Sequence, residues 1–240
     1  MPSTPSKVIE VDRMWGTSRH RDRECSNVDE GESSPDNFTE SSAYSLAFVA
    51  FVGLVAWISS KTLLPKNARW QDRVAWIWLA FDAMIHFTFE GSFLYLSTFG
   101  RQVITSTGPF ATLWKEYAFA DARWGVADPT VVSLEILTVL GVGPLCCFVL
   151  YQMAKNDPAR HYWIVVLSTS ELYGGFMTFA PEWLTGSKAL DTSNFLYLWV
   201  YLVFMNVLWV IIPLWLMYDS YTHIAYSLRS YQNSARAKKN

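Results

Sequence analysis

Cysteine is scarce in this sequence. The three present, Cys25 and the adjacent Cys146 and Cys147, cannot form a disulfide framework and show no metal-ligand spacing. Also missing are a GxGxxG fingerprint, a P-loop and an HExxH motif, which removes the common nucleotide-binding and zinc-protease chemistries. Neither sign of charge dominates: 19 Lys and Arg stand against 21 Asp and Glu, a formal net charge of −2. Nucleic acid is therefore excluded as a partner. No apolar run occurs before about Ser45, so a cleavable signal peptide is not expected. No internal repeat is visible.

What the sequence has instead is apolar surface. Hydrophobic residues make up 51% of the 240 and aromatics 16%, with 12 tryptophans, and mean hydropathy is above zero. That is too apolar for an ordinary soluble domain and too short for a large transporter. Residues 1–43, rich in Ser, Asp, Glu, Arg and Pro, read as a disordered polar tail. The tail carries one glycosylation sequon, at Asn37.

Five apolar runs follow, at about Tyr44–Leu64, Val74–Phe99, Val131–Ala154, Tyr162–Trp183 and Phe195–Tyr221. Each approaches or exceeds the roughly 20 helical residues that cross a bilayer. Tyr and Trp cluster near several ends, where amphipathic rings favour the interface. The expected fold is an all-α membrane protein: a bundle of five transmembrane helices over 44–223, with a disordered N-terminal tail before it and a basic tail over 224–240. Lys61, Lys66, Arg69, Arg73, Lys155, Arg160, Arg229, Arg236, Lys238 and Lys239 fall on the side of the C-terminus. Only Arg101, Lys115, Arg123 and Lys188 fall in the short loops opposite. Positive charge favours the cytosolic side, so the expected topology has a lumenal N-terminus and a cytosolic C-terminus.

Several side chains do not belong in lipid. Asp82, His86 and Glu90 lie in the second run, Glu135 in the third, Glu171 in the fourth and Asn206 in the fifth. A charge at the bilayer centre costs a few kcal/mol even on the gentler insertion scales. Asp82, His86 and Glu90 recur every four residues and so form one stripe of a helix. Glu135 shares a face with Thr138, and Asn206 with Trp209. Polar residues can act as glue between helices, which would account for Thr138 and Asn206. Three glutamates and a histidine in three runs exceed what glue requires and point to proton chemistry in an apolar chamber. Burial favours the protonated form of a carboxyl, so one glutamic acid can donate a proton while another group accepts one. An indole beside such a chamber can steady a passing cation through its π face.

Five stretches, "HFTFEGSF" (86–93), "LWKEYAFADARW" (113–124), "LEILTVLGVGPL" (134–145), "ELYGGFMTF" (171–179) and "YLWVYLVFMNVLW" (197–209), are similar in order and spacing to one known family. They resemble the emopamil-binding protein family, sterol Δ8–Δ7 isomerases of the endoplasmic reticulum within the EXPERA superfamily. The similarity runs from about Trp70 to His223. It implies five spans and a reaction in which a ring alkene is protonated, a tertiary carbocation forms and a neighbouring proton leaves. No cofactor is consumed. The resemblance implies a catalytic role for His86, Glu90 and Glu135. It implies a substrate-facing role for Thr138, Glu171, Tyr173, Asn206 and Trp209, with Asn206 orienting a carboxyl or a polar substrate group. Lys115, Glu116, Asp121 and Arg123 would form a lumenal network capping the chamber. A lipid substrate, sterol or terpenoid, is implied, as is binding of cationic amphiphilic amines whose ammonium imitates the carbocation. A homodimer is compatible with the sequence.

The sequence departs from the family at four places. Glu171 stands where the isomerases carry Gln, Gly175 where they carry Asp, Ser92 where they carry Trp and Trp124 where they carry Tyr. These changes bear on the substrate more than on the proton chemistry. The leading reading is a membrane isomerase shifting a carbon–carbon double bond of a sterol or sterol-like lipid. A terpenoid cyclase using the same cation chemistry and a non-catalytic sterol-binding protein are the alternatives. The C-terminal "RAKKN" is similar to dibasic retrieval signals of the endoplasmic reticulum and agrees with the expected topology.

Overall fold

The computed structural model describes residues 40–238. The tail read over 1–43, with its Asn37 sequon and Cys25, lies outside them up to residue 39. From Glu40 the backbone is helical, four residues ahead of the expected first run. Six principal helices follow. They are α1 (Glu40–Thr62), α2 (residues 70–96), α3 (Pro109–Ala120), α4 (Pro129–Ala154), α5 (Arg160–Thr185) and α6 (Leu196–Ala237). Among the described residues there is no strand, only an isolated antiparallel bridge between Asp121 and Leu190.

Local chemistry sets the boundaries. At the end of α1, the hydroxyls of Ser59 and Ser60 donate back to the carbonyls of Ala56 and Trp57, both at 2.7 Å, and Pro65 cannot extend the turn. Pro109 and Pro129 open α3 and α4, where a missing N–H is harmless. Asp128 caps α4 by accepting from Thr130 N at 2.9 Å. Gly186, at φ 87°, closes α5 in the left-handed conformation. Asn194 accepts from Leu196 N at 2.8 Å at the head of α6.

Each of the five apolar runs is thus helical. Two helices, Pro129–Ala154 and Leu196–Ala237, are long and apolar enough to cross a membrane. α6 continues to Ala237, so the basic C-terminal tail is largely an extension of the last helix. The segment 100–130, read as a loop, contains the full helix α3.

Three of the long helices carry a π-helical turn: His86–Glu90 in α2, Thr138–Val142 in α4 and Leu196–Phe204 at the start of α6. Such turns insert one residue and swing the following side chains around the axis. The first two face each other, and Gly143 lets the helices close there. A Cβ at Gly143 would stand 3.1 Å from the Phe87 ring and 3.3 Å from His86 Cβ. Around that crossing Leu79, Cys146, Val149 and Leu167 pack without solvent exposure.

A second layer closes the end of the bundle carrying α3. Arg123 and Asp121 pair there at 2.6 Å, with 7% and 1% of their side chains exposed. Arg123 also donates to the carbonyl of Thr178 on α5 at 2.8 Å, and Trp124 Nε1 donates to Asp121 at 3.2 Å. Ala122 N and Asp191 N complete the bridge to the 186–195 loop, each at 2.9 Å from its carbonyl acceptor. Burial opposes the charge of Arg123, but Asp121 more than offsets this and holds the guanidinium above its ordinary pKa. Of the four residues expected to cap the chamber, Asp121 and Arg123 form the heart of this latch, joined by Glu182 at 3.8 Å.

Removing one partner strands the other. Arg123→Met is expected to destabilise the protein by about 3–5 kcal/mol by leaving Asp121 buried and uncompensated. The Tm of the purified protein measures this, and Asp121→Asn in the same background should restore part of the loss. An unchanged Tm in Arg123→Met would show that the latch does not hold the fold.

Candidate functional site

α2 places Asp82, His86 and Glu90 on one inward stripe, and their side chains form a continuous row. His86 is 1% exposed. Its Nε2 lies 3.2 Å from Asp82 Oδ2 and its Nδ1 lies 2.5 Å from Glu90 Oε2. The row extends at both ends. Glu90 comes within hydrogen-bonding reach of Glu135 on α4, whose carboxylate also accepts from Thr138 Oγ1 at 3.3 Å. Asp82 accepts from Trp209 Nε1 of α6 at 2.8 Å and from Cys146 Sγ of α4 at 3.3 Å. Beyond Asp82 stands Glu171 of α5, against Asp82 and Trp78, with neither carboxyl oxygen completing an aligned hydrogen bond.

Beside this row opens a cavity of about 440 Å³, within the range of small-molecule sites. His86, Glu90, Glu135, Thr138, Glu171, Asn206 and Trp209 all line it. The rest of the wall is mainly apolar and aromatic, including Phe81, Phe89, Trp114, Tyr117 and Trp124. The arrangement sets donors and acceptors of protons along one side of an apolar chamber. The Trp209 ring is fixed by its bond to Asp82 and by an edge-on contact with Trp78 at 5.0 Å between centroids.

Two of the expected residues are placed differently from the rest. Tyr173 does not line the cavity; it is 58% exposed on the outer face of α5. The wall is built from Glu171, Gly174, Gly175 and Thr178, spaced as one helical face, and a residue two positions from Glu171 turns roughly 200° away. Asn206 lines the cavity, but its amide donates to the carbonyls of Tyr201 and Leu202, both at 3.0 Å. It satisfies backbone groups next to the π-helical stretch, and it stands close to Tyr117.

Sequence reasoning placed Glu116 at the chamber but missed the apolar face of α3 beside it. Leu113, Trp114 and Tyr117 face the cavity with Glu116, and Trp114 Nε1 donates to Ser92 Oγ at 3.0 Å. Trp114 and Tyr117 are three residues apart, and Leu113 and Tyr117 four, so a helical period was present behind the charges. Cys146 could not be found in this way, because its partner Asp82 is 64 residues distant.

Residues 109–220 match the family described as EXPERA (EXPanded EBP superfamily). The chain is 31% identical over 176 residues to the 3-beta-hydroxysteroid-Delta(8),Delta(7)-isomerase of Cavia porcellus, covering 72% of this chain and 75% of that protein. It is 30% identical over 173 residues to the isomerase of the same name from Mus musculus, with coverage of 71% and 73%. It is also 28% identical over 169 residues to the isomeliandiol synthase of Melia azedarach, with coverage of 70% and 75%.

Two tryptophans separate hydrogen bonding from packing in this row. Trp209→Phe removes the donor to Asp82 and is expected to destabilise by about 1.5–3 kcal/mol, the usual range for a hydrogen bond to a charged group. Trp78→Phe removes an N–H that completes no hydrogen bond and should destabilise less. Paired Tm measurements test this, and equal losses would mean that the Asp82 bond contributes nothing beyond ring packing.

Proposed function

The chain belongs to the EXPERA (EXPanded EBP superfamily) family and is an enzyme of its isomerase and synthase kind, and from this premise we propose that it shifts a carbon–carbon double bond in a sterol or sterol-like lipid. The observation that carries the proposal is the row of ionisable side chains along one wall of an otherwise apolar cavity. A ligand bound there is shielded from water, where a carbocation would otherwise be captured.

The reaction needs a proton in and a proton out. Glu90 and Glu135 stand within hydrogen-bonding reach, and two such carboxyls can hold a proton between them. That proton passes to one alkene carbon, and the neighbouring carbon becomes the cation. The carboxylate left behind, or His86 beside it, removes a proton from the next carbon, and the new double bond forms. The proton count balances, and the enzyme returns to its starting state through the His86–Glu90 contact. Trp209 steadies the cation with its π face, an interaction of about 0.5–2 kcal/mol depending on desolvation. Thr138 holds the Glu135 carboxylate in place.

In this reading α1, α2, α4, α5 and α6 cross the membrane of the endoplasmic reticulum, with the N-terminus lumenal and the C-terminus cytosolic. The basic residues on the C-terminal side support that orientation. Cationic amphiphilic amines would enter the same cavity, their ammonium meeting the acids prepared for the carbocation. A second reading is a synthase that protonates a terpenoid and lets it rearrange. It is favoured by the similarity to the isomeliandiol synthase.

The test is expression in yeast that lacks its own sterol Δ8–Δ7 isomerase, with sterol analysis. Δ7 sterols should return with the native chain and fall at least a hundredfold with Glu135→Gln, the lower range for loss of general acid–base catalysis. Persistent Δ8 sterols, with the native chain present in membranes, would reject the sterol substrate and leave the synthase reading.

A further inference from the structure

We propose that Asp82, His86 and Cys146 form a buried binding site for a soft divalent cation, with Zn²⁺ the ion that suits its donors. The three come from two helices, α2 and α4, so no ligand spacing within one segment announces them. Ligand atoms of Asp82, His86 and Cys146 lie within 4.8 Å of one another, and all three residues are buried. Asp82 Oδ2 stands 3.2 Å from His86 Nε2 and 3.3 Å from Cys146 Sγ. The edges of a tetrahedron around an ion with zinc's ligand distances measure about 3.3–3.6 Å. The contacts are already close to that size.

The polar atoms left over point to the same place. His86 Nε2 and both oxygens of Glu171 are buried and complete no aligned hydrogen bond. Nε2 is near Asp82, yet its bonding direction misses the carboxylate. Glu171, 6% exposed, stands against Asp82 and close enough to Cys146 for their charges to interact. Buried polar groups in native proteins are almost always partnered. A cation between Asp82, His86 and Cys146 would partner Nε2 and stand on the side of Asp82 where Glu171 also lies.

The surrounding contacts are those of a prepared metal site. Glu90 holds His86 through Nδ1 at 2.5 Å, which leaves Nε2 free to ligate in the carboxylate–histidine–metal pattern. Trp209 Nε1 holds Asp82 through Oδ1, leaving Oδ2 for the ion. One thiol, one imidazole and one carboxylate favour zinc over magnesium or calcium, which take oxygen ligands alone. Binding releases the thiol proton of Cys146. The ion reaches the site from the cavity, which both His86 and Glu171 line. Given the reaction proposed above, an ion on His86 Nε2 blocks the relay and so acts as a brake, not a cofactor.

The experiment uses the full chain in detergent, stripped with chelator and loaded with one equivalent of Zn²⁺. X-ray absorption is expected to report one sulfur at ~2.3 Å and nitrogen or oxygen ligands at ~2.0–2.2 Å. Co²⁺ loading of a second sample should give a thiolate-to-cobalt charge-transfer band. The band should survive Cys147→Ser, disappear in Cys146→Ser, and require roughly 10–100-fold more Co²⁺ in Trp209→Phe, the usual cost of losing an outer-shell partner. No metal uptake, a zinc shell without sulfur, or a cobalt band that survives Cys146→Ser would overturn the site. The zinc spectrum of the native chain decides the matter even if a variant does not fold. None of these readouts depends on turnover, so loss of the isomerase reading would leave the metal result standing.

Discussion

A histidine enclosed between two carboxyl groups in an apolar bundle is the constraint on which the rest of the structure depends. His86 touches Asp82 with one nitrogen and Glu90 with the other. Each buried ionisable group is tolerable only because the next one partners it. That dependence passes outward along the row: Asp82 needs Trp209, and Glu90 is joined by Glu135, which Thr138 steadies. Three helices, α2, α4 and α6, must therefore be placed correctly before the whole row is satisfied. Packing and chemistry are consequently not separable here, because the site also holds the bundle together.

The π-helical turns make that placement possible. In a regular helix, residues four apart lie almost above one another, and Asp82, His86 and Glu90 would run straight down one stripe. The extra residue over His86–Glu90 turns the helix about its axis, while the facing turn over Thr138–Val142 does the same near Glu135. Gly143 removes the Cβ that would otherwise push the two apart. The third turn, at Leu196–Phe204, leaves backbone carbonyls that the Asn206 amide takes up. Irregular backbone thus gathers where the cavity needs it.

This explains which parts of the molecule were legible in the sequence. The apolar runs and the stripe of Asp82, His86 and Glu90 follow from period alone, and helices were found wherever the runs indicated. The π-helical turns do not follow, because a shift of one residue in the hydrogen-bond ladder is decided by what packs against the helix. Tyr173 stands on the outer face for a related reason: Glu171 points inward, and residues two apart on a helix point opposite ways. α3 was hidden by Lys115, Glu116, Asp121 and Arg123, whose charges suggest a solvated loop. Two of them, Asp121 and Arg123, are buried against each other instead. Charge in a sequence indicates exposure only when no partner awaits it, and partners are a property of the fold.

Of the four positions at which the resemblance implies a departure from the isomerases, Glu171, Gly175 and Trp124 line the cavity, and Ser92 stands behind Trp114. Ser92 gives up aromatic bulk on α2, and its hydroxyl accepts the indole N–H of Trp114. Trp124 lies parallel to Trp114, at 4.8 Å between centroids and 3° between planes. Phe93 of α2 packs on both indoles, at 5.2 and 4.6 Å between centroids, so the aromatic surface is shared between α2 and the segment that closes the end of the bundle. On the opposite wall, a Cβ added at Gly174 or Gly175 would meet nothing within 4 Å, so α5 leaves open space where a side chain could stand. The cavity can therefore change shape on these two walls without disturbing Asp82, His86, Glu90 or Glu135. In the reaction proposed above, the residues that shape the cavity and those that carry the proton are then different ones, so the first set can vary while the second is kept.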